Sequence, residues 1–146
     1  MSILKTVKKQ LKNGEHINAV QYVRLEKSSK NREDKIIANN GTNICKEYLI
    51  HHPNICLVEK PYIDYKSIFK ERADRKDFLR MLARLKDRNL NLVLVNDIYE
   101  FASSPLDIMA TQYEMFEKLD VVVLDMKNDI LYDSLEEFMK NLYSYD

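Results

Sequence analysis

The residue types that most often carry chemistry are present in this chain, but their spacing restricts what they can do. His51 and His52 are adjacent, so in a regular element they point in different directions. They lack the i, i+4 separation that lets a helix offer two imidazoles to one metal. Cys45 and Cys56 have no paired short spacing for zinc and are too few for a disulfide framework, so they are expected to be free thiols of a reducing cytosol. Gly14 and Gly41 are the only glycines, and two so far apart cannot form a loop that cradles a phosphate. No cofactor and no metal is expected. Attention moves to the polar break Glu26-Lys27-Ser28-Ser29-Lys30-Asn31, because the break after a first strand is where ligands meet an α/β sheet. Adjacent serines there are also ordinary helix-start chemistry.

The elements that must position that break follow from the apolar pattern. Short apolar runs alternate with amphipathic stretches, the signal of strands separated by helices and of a mostly parallel sheet. Strands are expected at 17–25, 55–58, 90–95 and 121–124. Helices are expected at 33–50, where Gly41 weakens the middle by about 1 kcal/mol, and from an N-cap at Asp74 to about Arg88. Another starts at Pro105, and a terminal helix carries Leu131, Leu135, Phe138 and Leu142 on one side. Pro61 to Arg72 has no clear period and reads as a loop. Tyr62, Tyr65 and Tyr99 are candidates for one surface, although most tyrosines are expected to pack partly buried.

With 146 residues, 45% hydrophobic and 32% charged, the chain suits one soluble domain rather than a disordered segment. Its apolar runs are far below the ~20 residues of a membrane span. Twenty-three basic residues balance twenty-three acidic ones, so the whole chain exerts no long-range pull on a polyanion. Residues 1–16 stand apart as a helical extension. Lys5, Lys8, Lys9 and Lys12 alternate there with Ile3, Leu4, Val7 and Leu11, which suggests a short amphipathic helix with a basic face, either a solvated leader or packed on the domain or on a partner, and the stretch lacks the long apolar core of a secretory signal.

Three blocks within residues 17 to 130 resemble, in order and spacing, the catalytic domain of serine site-specific recombinases, the resolvases and invertases. In AVQYVRLEKSS, Tyr22, Arg24 and Leu25 match the family's first strand, and Glu26 stands where the nucleophilic serine belongs. In DYKSIFKERADRKDFLRML, Asp64, Ser67, Arg75, Phe78, Met81 and Leu82 fit the acidic, serine-containing loop and the helix opened by an arginine. In LVLVNDIYEFASSPLD, Phe101 and Asp107 keep the pattern, while Tyr99 replaces an aspartate and Glu100 and Ser103 replace arginines. The family's long dimer-forming helix has at most a short counterpart in 131–146.

The resemblance implies a resolvase-like three-layer α/β fold: a central sheet of about four strands, flanked by helices, over residues 17–146. It also implies a damaged centre. In the family a serine attacks a DNA phosphodiester while arginines hold the phosphate. A glutamate at the nucleophile position faces the diester's own charge, and two like charges about 4 Å apart oppose each other by about 4 kcal/mol at an effective dielectric of 20. Glu100 adds a second anion. Arg24 and Arg75 remain as a vestigial phosphate site, or are tied up in ion pairs with Glu26 and Glu100. Ser28 and Ser29 are the candidates for a displaced nucleophile. The resulting expectation is an inactive, cytoplasmic relative acting through protein contacts in DNA recombination or mobile-element biology. Its partner would be a second copy or an active recombinase, met through the apolar stripe of the last helix unless that stripe is buried against the chain's own sheet. The alternatives are a divergent recombinase using Ser28 or Ser29, and a DNA-binding accessory using the N-terminal lysines with Arg24 and Arg75.

Overall fold

The computed structural model describes residues 2–26, 32–66, 75–101 and 104–142. In chain order the elements are α1 (Ile3–Lys12), β1 (Ile17–Glu26), α2 (Arg32–Asn40), α3 (Asn43–His51), β2 (Ile55–Leu57) and β3 (Tyr62–Lys66). They continue with α4 (Lys76–Arg88), β4 (Leu92–Val95), α5 (Pro105–Thr111), β5 (Val122–Asp125), β6 (Ile130–Tyr132) and α6 (Glu136–Leu142). A 3-10 turn covers Ile98–Glu100, and a π-helical turn, Gln112–Glu117, extends α5.

The strands form a six-stranded sheet in the order β2-β1-β4-β5-β6, with β3 paired to β1. Every pairing is parallel except that of β5 with β6. β1 runs for ten residues and pairs with β2 through Ile17–Ala19, with β4 through Ala19–Gln21 and with β3 through Tyr22–Glu26. Its outer half therefore projects beyond β2, and the residues of the first and second recombinase-like blocks lie side by side.

Parallel strands covered on both faces are apolar throughout, because successive side chains enter opposite cores. LVLV of β4 and VVLD of β5 are buried at every position. Val20, Tyr22, Val93, Val95 and Val123 enter one core, closed by Phe78, Met81 and Leu85 of α4, Ile108 of α5, Met115 and Leu135. Ala19, Leu92, Leu94, Val122 and Leu124 enter the other, closed by Val7 of α1 and Cys45 of α3, with Leu4, Leu11, Tyr48 and Leu49 packed against it. The mixed α/β architecture with a mostly parallel sheet between helices is thus the one the apolar pattern predicts. Far from being a solvated leader, α1 covers part of the sheet.

Three expectations about elements need correction. The helix expected at 33–50 is two helices. Gly41 has a positive φ of 82° and Thr42 opens α3 by accepting a hydrogen bond from Cys45 N, so the weak centre is a break. The expected loop 61–72 contains β3. Asp64 hid it, because a buried acid interrupts the apolar alternation that marks a strand. The expected terminal helix is a strand followed by a helix: Leu131 lies in β6 and packs on the α1 side, whereas Leu135 is fully buried on the α4 side. The two strands left out of the expected four are β3 and β6. The stripe assigned to partner contact is therefore divided between two cores; the side chain of Leu142 lies outside the described residues. Finally, the 3-10 turn and β6 are both fixed by Asp125, whose carboxylate accepts Ile98 N, Asn128 N and Asn128 Nδ2.

Candidate functional site

Arg24, near the end of β1, Arg75, immediately before α4, and Asp107, in the first turn of α5, come from the three separate blocks and meet at one place. Arg24 donates through Nη1 to Asp107 Oδ2 at 2.8 Å. Arg75 Nη1 lies 3.9 Å from Asp107 Oδ1, its Nη2 donates to Thr111 Oγ1 at 3.0 Å, and its guanidinium covers the Phe78 ring at 3.8 Å. Both arginine side chains are more than nine-tenths buried. Asp107 and Thr111 stand i, i+4 on one helical face, and α5 is started by Pro105 and by Ser104, which accepts from Asp107 N.

A second arrangement holds the first in place. Tyr22 Oη donates to Asp64 Oδ2 at 2.7 Å, and the same carboxylate accepts Asp77 N and Phe78 N at the start of α4. Asp64 of β3 thereby caps α4 from a distance, while Arg75 at the cap position makes no side-chain cap bond. The cap expected from Asp74 lies outside the described residues. Tyr22 also stacks on Phe101 at 5.0 Å and meets Phe78 edge-on at 5.8 Å, which closes the floor of the site with aromatic carbon.

The electrostatics follow from burial. Burial disfavours the charge on Arg24, but the hydrogen bond and the charge of Asp107 outweigh it and raise its pKa above the ordinary value. Arg75 is lowered, mainly by burial, with Arg24 adding repulsion. Tyr22 is pushed far up by burial, then by the charge of Asp64 and the hydrogen bond to it. Arg24 Nε and Arg75 Nε have no hydrogen-bond partner among the described residues.

Of the ion pairs expected with Glu26 and Glu100, the first falls on a side chain outside the described residues, and no described ion pair joins either arginine to Glu100. Its carboxylate accepts the backbone N–H of Arg24 at 3.0 Å, and the shared anion is Asp107. The physical reason is reach. Glu100 sits on the 3-10 turn beside the β1 backbone, whereas α5 presents Asp107 to the guanidiniums. The side chain of Glu26, and Ser28, Ser29, Ser67 and Ser103 altogether, lie outside the described residues. Asp107 as the common anion and Thr111 as its neighbour escaped sequence reasoning, although the Ser104-Pro105 helix start and the four-residue spacing were available to find them.

Chemically, this centre binds cations to an internal carboxylate. Its described hydroxyls are poor nucleophiles: Thr111 is fully buried, and Tyr22 is buried and held by Asp64. Among the described residues, no group of three or more His, Cys, Asp or Glu side chains is placed to hold a metal. His52 instead stacks on Tyr48 at 4.0 Å and bonds the Tyr48 carbonyl through Nδ1. Tyr62 is buried beneath Arg80, whereas Tyr99 is exposed, so these tyrosines do not form one surface. No described helix is long and apolar enough to cross a membrane. Comparison of the chain with protein-family models and with curated proteins finds no match.

Proposed function

We propose that this chain is a resolvase-like domain that has lost strand cleavage and acts through protein contacts in DNA recombination or mobile-element biology. The observation that carries the reading is the meeting of Arg24, Arg75 and Asp107. They fall in the three blocks that resemble the recombinase pattern, with Arg24 and Asp107 83 positions apart, and the fold brings them to one place, as that resemblance implies. Loss of activity is supported by the replaced positions instead: Glu26 stands where the resemblance implies the nucleophilic serine, and Glu100 and Ser103 stand where it implies arginines, so two of the cations that would stabilise the transition state are missing.

The surface for protein contact in this reading is α5 and its π-helical extension. Leu106, Met109 and Tyr113 are exposed there at helical spacing, and π-turns are found disproportionately at functional sites. The partner is another recombinase-like domain.

Covalent trapping on a nicked duplex suicide substrate tests the reading. The expected result is no protein–DNA adduct on a denaturing gel, together with recovery of a serine recombinase on the tagged chain after nuclease treatment, lost in Met109→Lys. An adduct abolished by Ser28→Ala or Ser29→Ala would replace this reading with a divergent enzyme.

A further inference from the structure

The basic residues of α1 form a second feature, remote from the arginine centre. Lys5, Lys8, Lys9 and Lys12 are all exposed and fall at i, i+3, i+4 and i+7, which puts them in one row along the helix. No described ion pair involves them. Glu15 is the only acidic residue between positions 1 and 25, so the row is segregated within a chain of zero net charge.

Helix stability does not account for it. Lys9 and Lys12 suit the negative end of the helix dipole, but Lys5 sits in a first turn that has no acidic residue, where a cation is unfavourable. The pairs Lys5–Lys9 and Lys8–Lys12 also repel. The row carries a local cost to the helix.

Lys8 borders a pocket that also holds Asp129, and the Tyr48 hydroxyl donates to that carboxylate at 2.6 Å. The opposite face of α1 decides the class of partner. Val7 is buried and Ile3, Leu4 and Leu11 pack on the core, so no apolar face is left to enter a bilayer, as an interfacial helix requires.

We infer that the lysine row of α1 is a docking surface for the phosphate backbone of double-stranded nucleic acid, independent of base sequence. Four lysines over about 10 Å of helix face roughly six charges on the same length of duplex. Because α1 lies on the other side of the sheet from Phe78 and Phe101, the inference does not rest on the reading of the arginine centre.

Fluorescence anisotropy of the full chain with a labelled mixed-sequence duplex, measured over a series of salt concentrations, tests it. Neutralising about four phosphates predicts a slope of log affinity against log salt near −3.6, a loss of roughly 100-fold between 50 and 200 mM salt. In the variant carrying Lys5→Gln, Lys8→Gln, Lys9→Gln and Lys12→Gln, binding is lost, while the corresponding Lys→Arg variant keeps it; circular dichroism checks that both are folded. Absence of duplex binding at low salt overturns the inference, as does equal binding by the Gln variant. Binding to phosphatidylserine vesicles without binding to the duplex also overturns it and assigns the row to a lipid surface.

Discussion

Tyr22 and Asp64 are joined by a 2.7 Å hydrogen bond across 42 residues of sequence, and that bond fixes the start of α4 to the end of β1. Asp64 accepts three donors: the Tyr22 hydroxyl and the N–H groups of Asp77 and Phe78. Asp64→Ala leaves all three without their acceptor in a buried place and should destabilise the fold by about 3 kcal/mol. Tyr22→Phe removes one donor, leaves the carboxylate two others, and should cost about 1 kcal/mol. Urea unfolding measures both, and equal costs would show that Asp64 does not cap α4.

Asp107 should matter more than either arginine it holds. Removing a carboxylate between two buried guanidiniums leaves buried charge uncompensated, at a cost of about 3–5 kcal/mol. Asp107→Ala is therefore expected to destabilise strongly, and Arg24→Met in the same chain to restore part of the loss. A double-mutant cycle by denaturant unfolding reads the coupling; purely additive effects would deny the ion pair any role in stability.

Gly41 has a φ of 82°, and a Cβ there would lie 2.9 Å from Gln21 Oε1. Gly41→Ala adds a contact with a buried side chain to the left-handed backbone penalty and should cost about 2 kcal/mol. In a Gln21→Ala background the contact disappears and only the backbone share, about 1 kcal/mol, remains. Thermal unfolding of the four chains separates the two contributions; identical penalties in both backgrounds would mean that Gln21 yields freely.

Burial raises the Cys45 thiol from 9.0 to about 11, so the native state holds its proton more tightly than the unfolded chain. The resulting stability is complete below pH 9 and is lost as the pH rises toward 11. Cys45→Ala should flatten the fall of stability in that window. At pH 8 a thiol reagent should modify exposed Cys56 at once and buried Cys45 only on unfolding; two equally fast thiols would show that α3 opens readily.

The two apolar sets near the C-terminal half should behave oppositely. Leu135 is fully buried, and Leu135→Ala should cost about 2–5 kcal/mol. Met109→Lys, on the exposed row, should leave the unfolding midpoint within about 0.5 kcal/mol of the parent while weakening association with a recombinase-like partner. A large loss of stability in Met109→Lys would make that row part of the fold instead.

By itself the sequence determined the class of the fold, because strands buried on both faces must be apolar at every position, and Leu92–Val95 and Val121–Leu124 are. It also determined where α4 and α5 run, through the stripe Phe78, Leu79, Leu82 and Leu85, of which Leu79 is exposed, and through Pro105, and it singled out Arg24, Arg75 and Asp107 by their likeness to a pattern. Tertiary structure decided what these residues do. Strand β3 exists because Asp64, a poor strand residue locally, finds Tyr22 and the start of α4 as partners. β6 exists because Asp125 fixes the preceding turn and β5 offers Leu131 an edge. Arg24 and Arg75 pair with Asp107 rather than Glu100 because pairing depends on which carboxylate the packed helices bring within about 4 Å, a distance that positions along a chain do not encode.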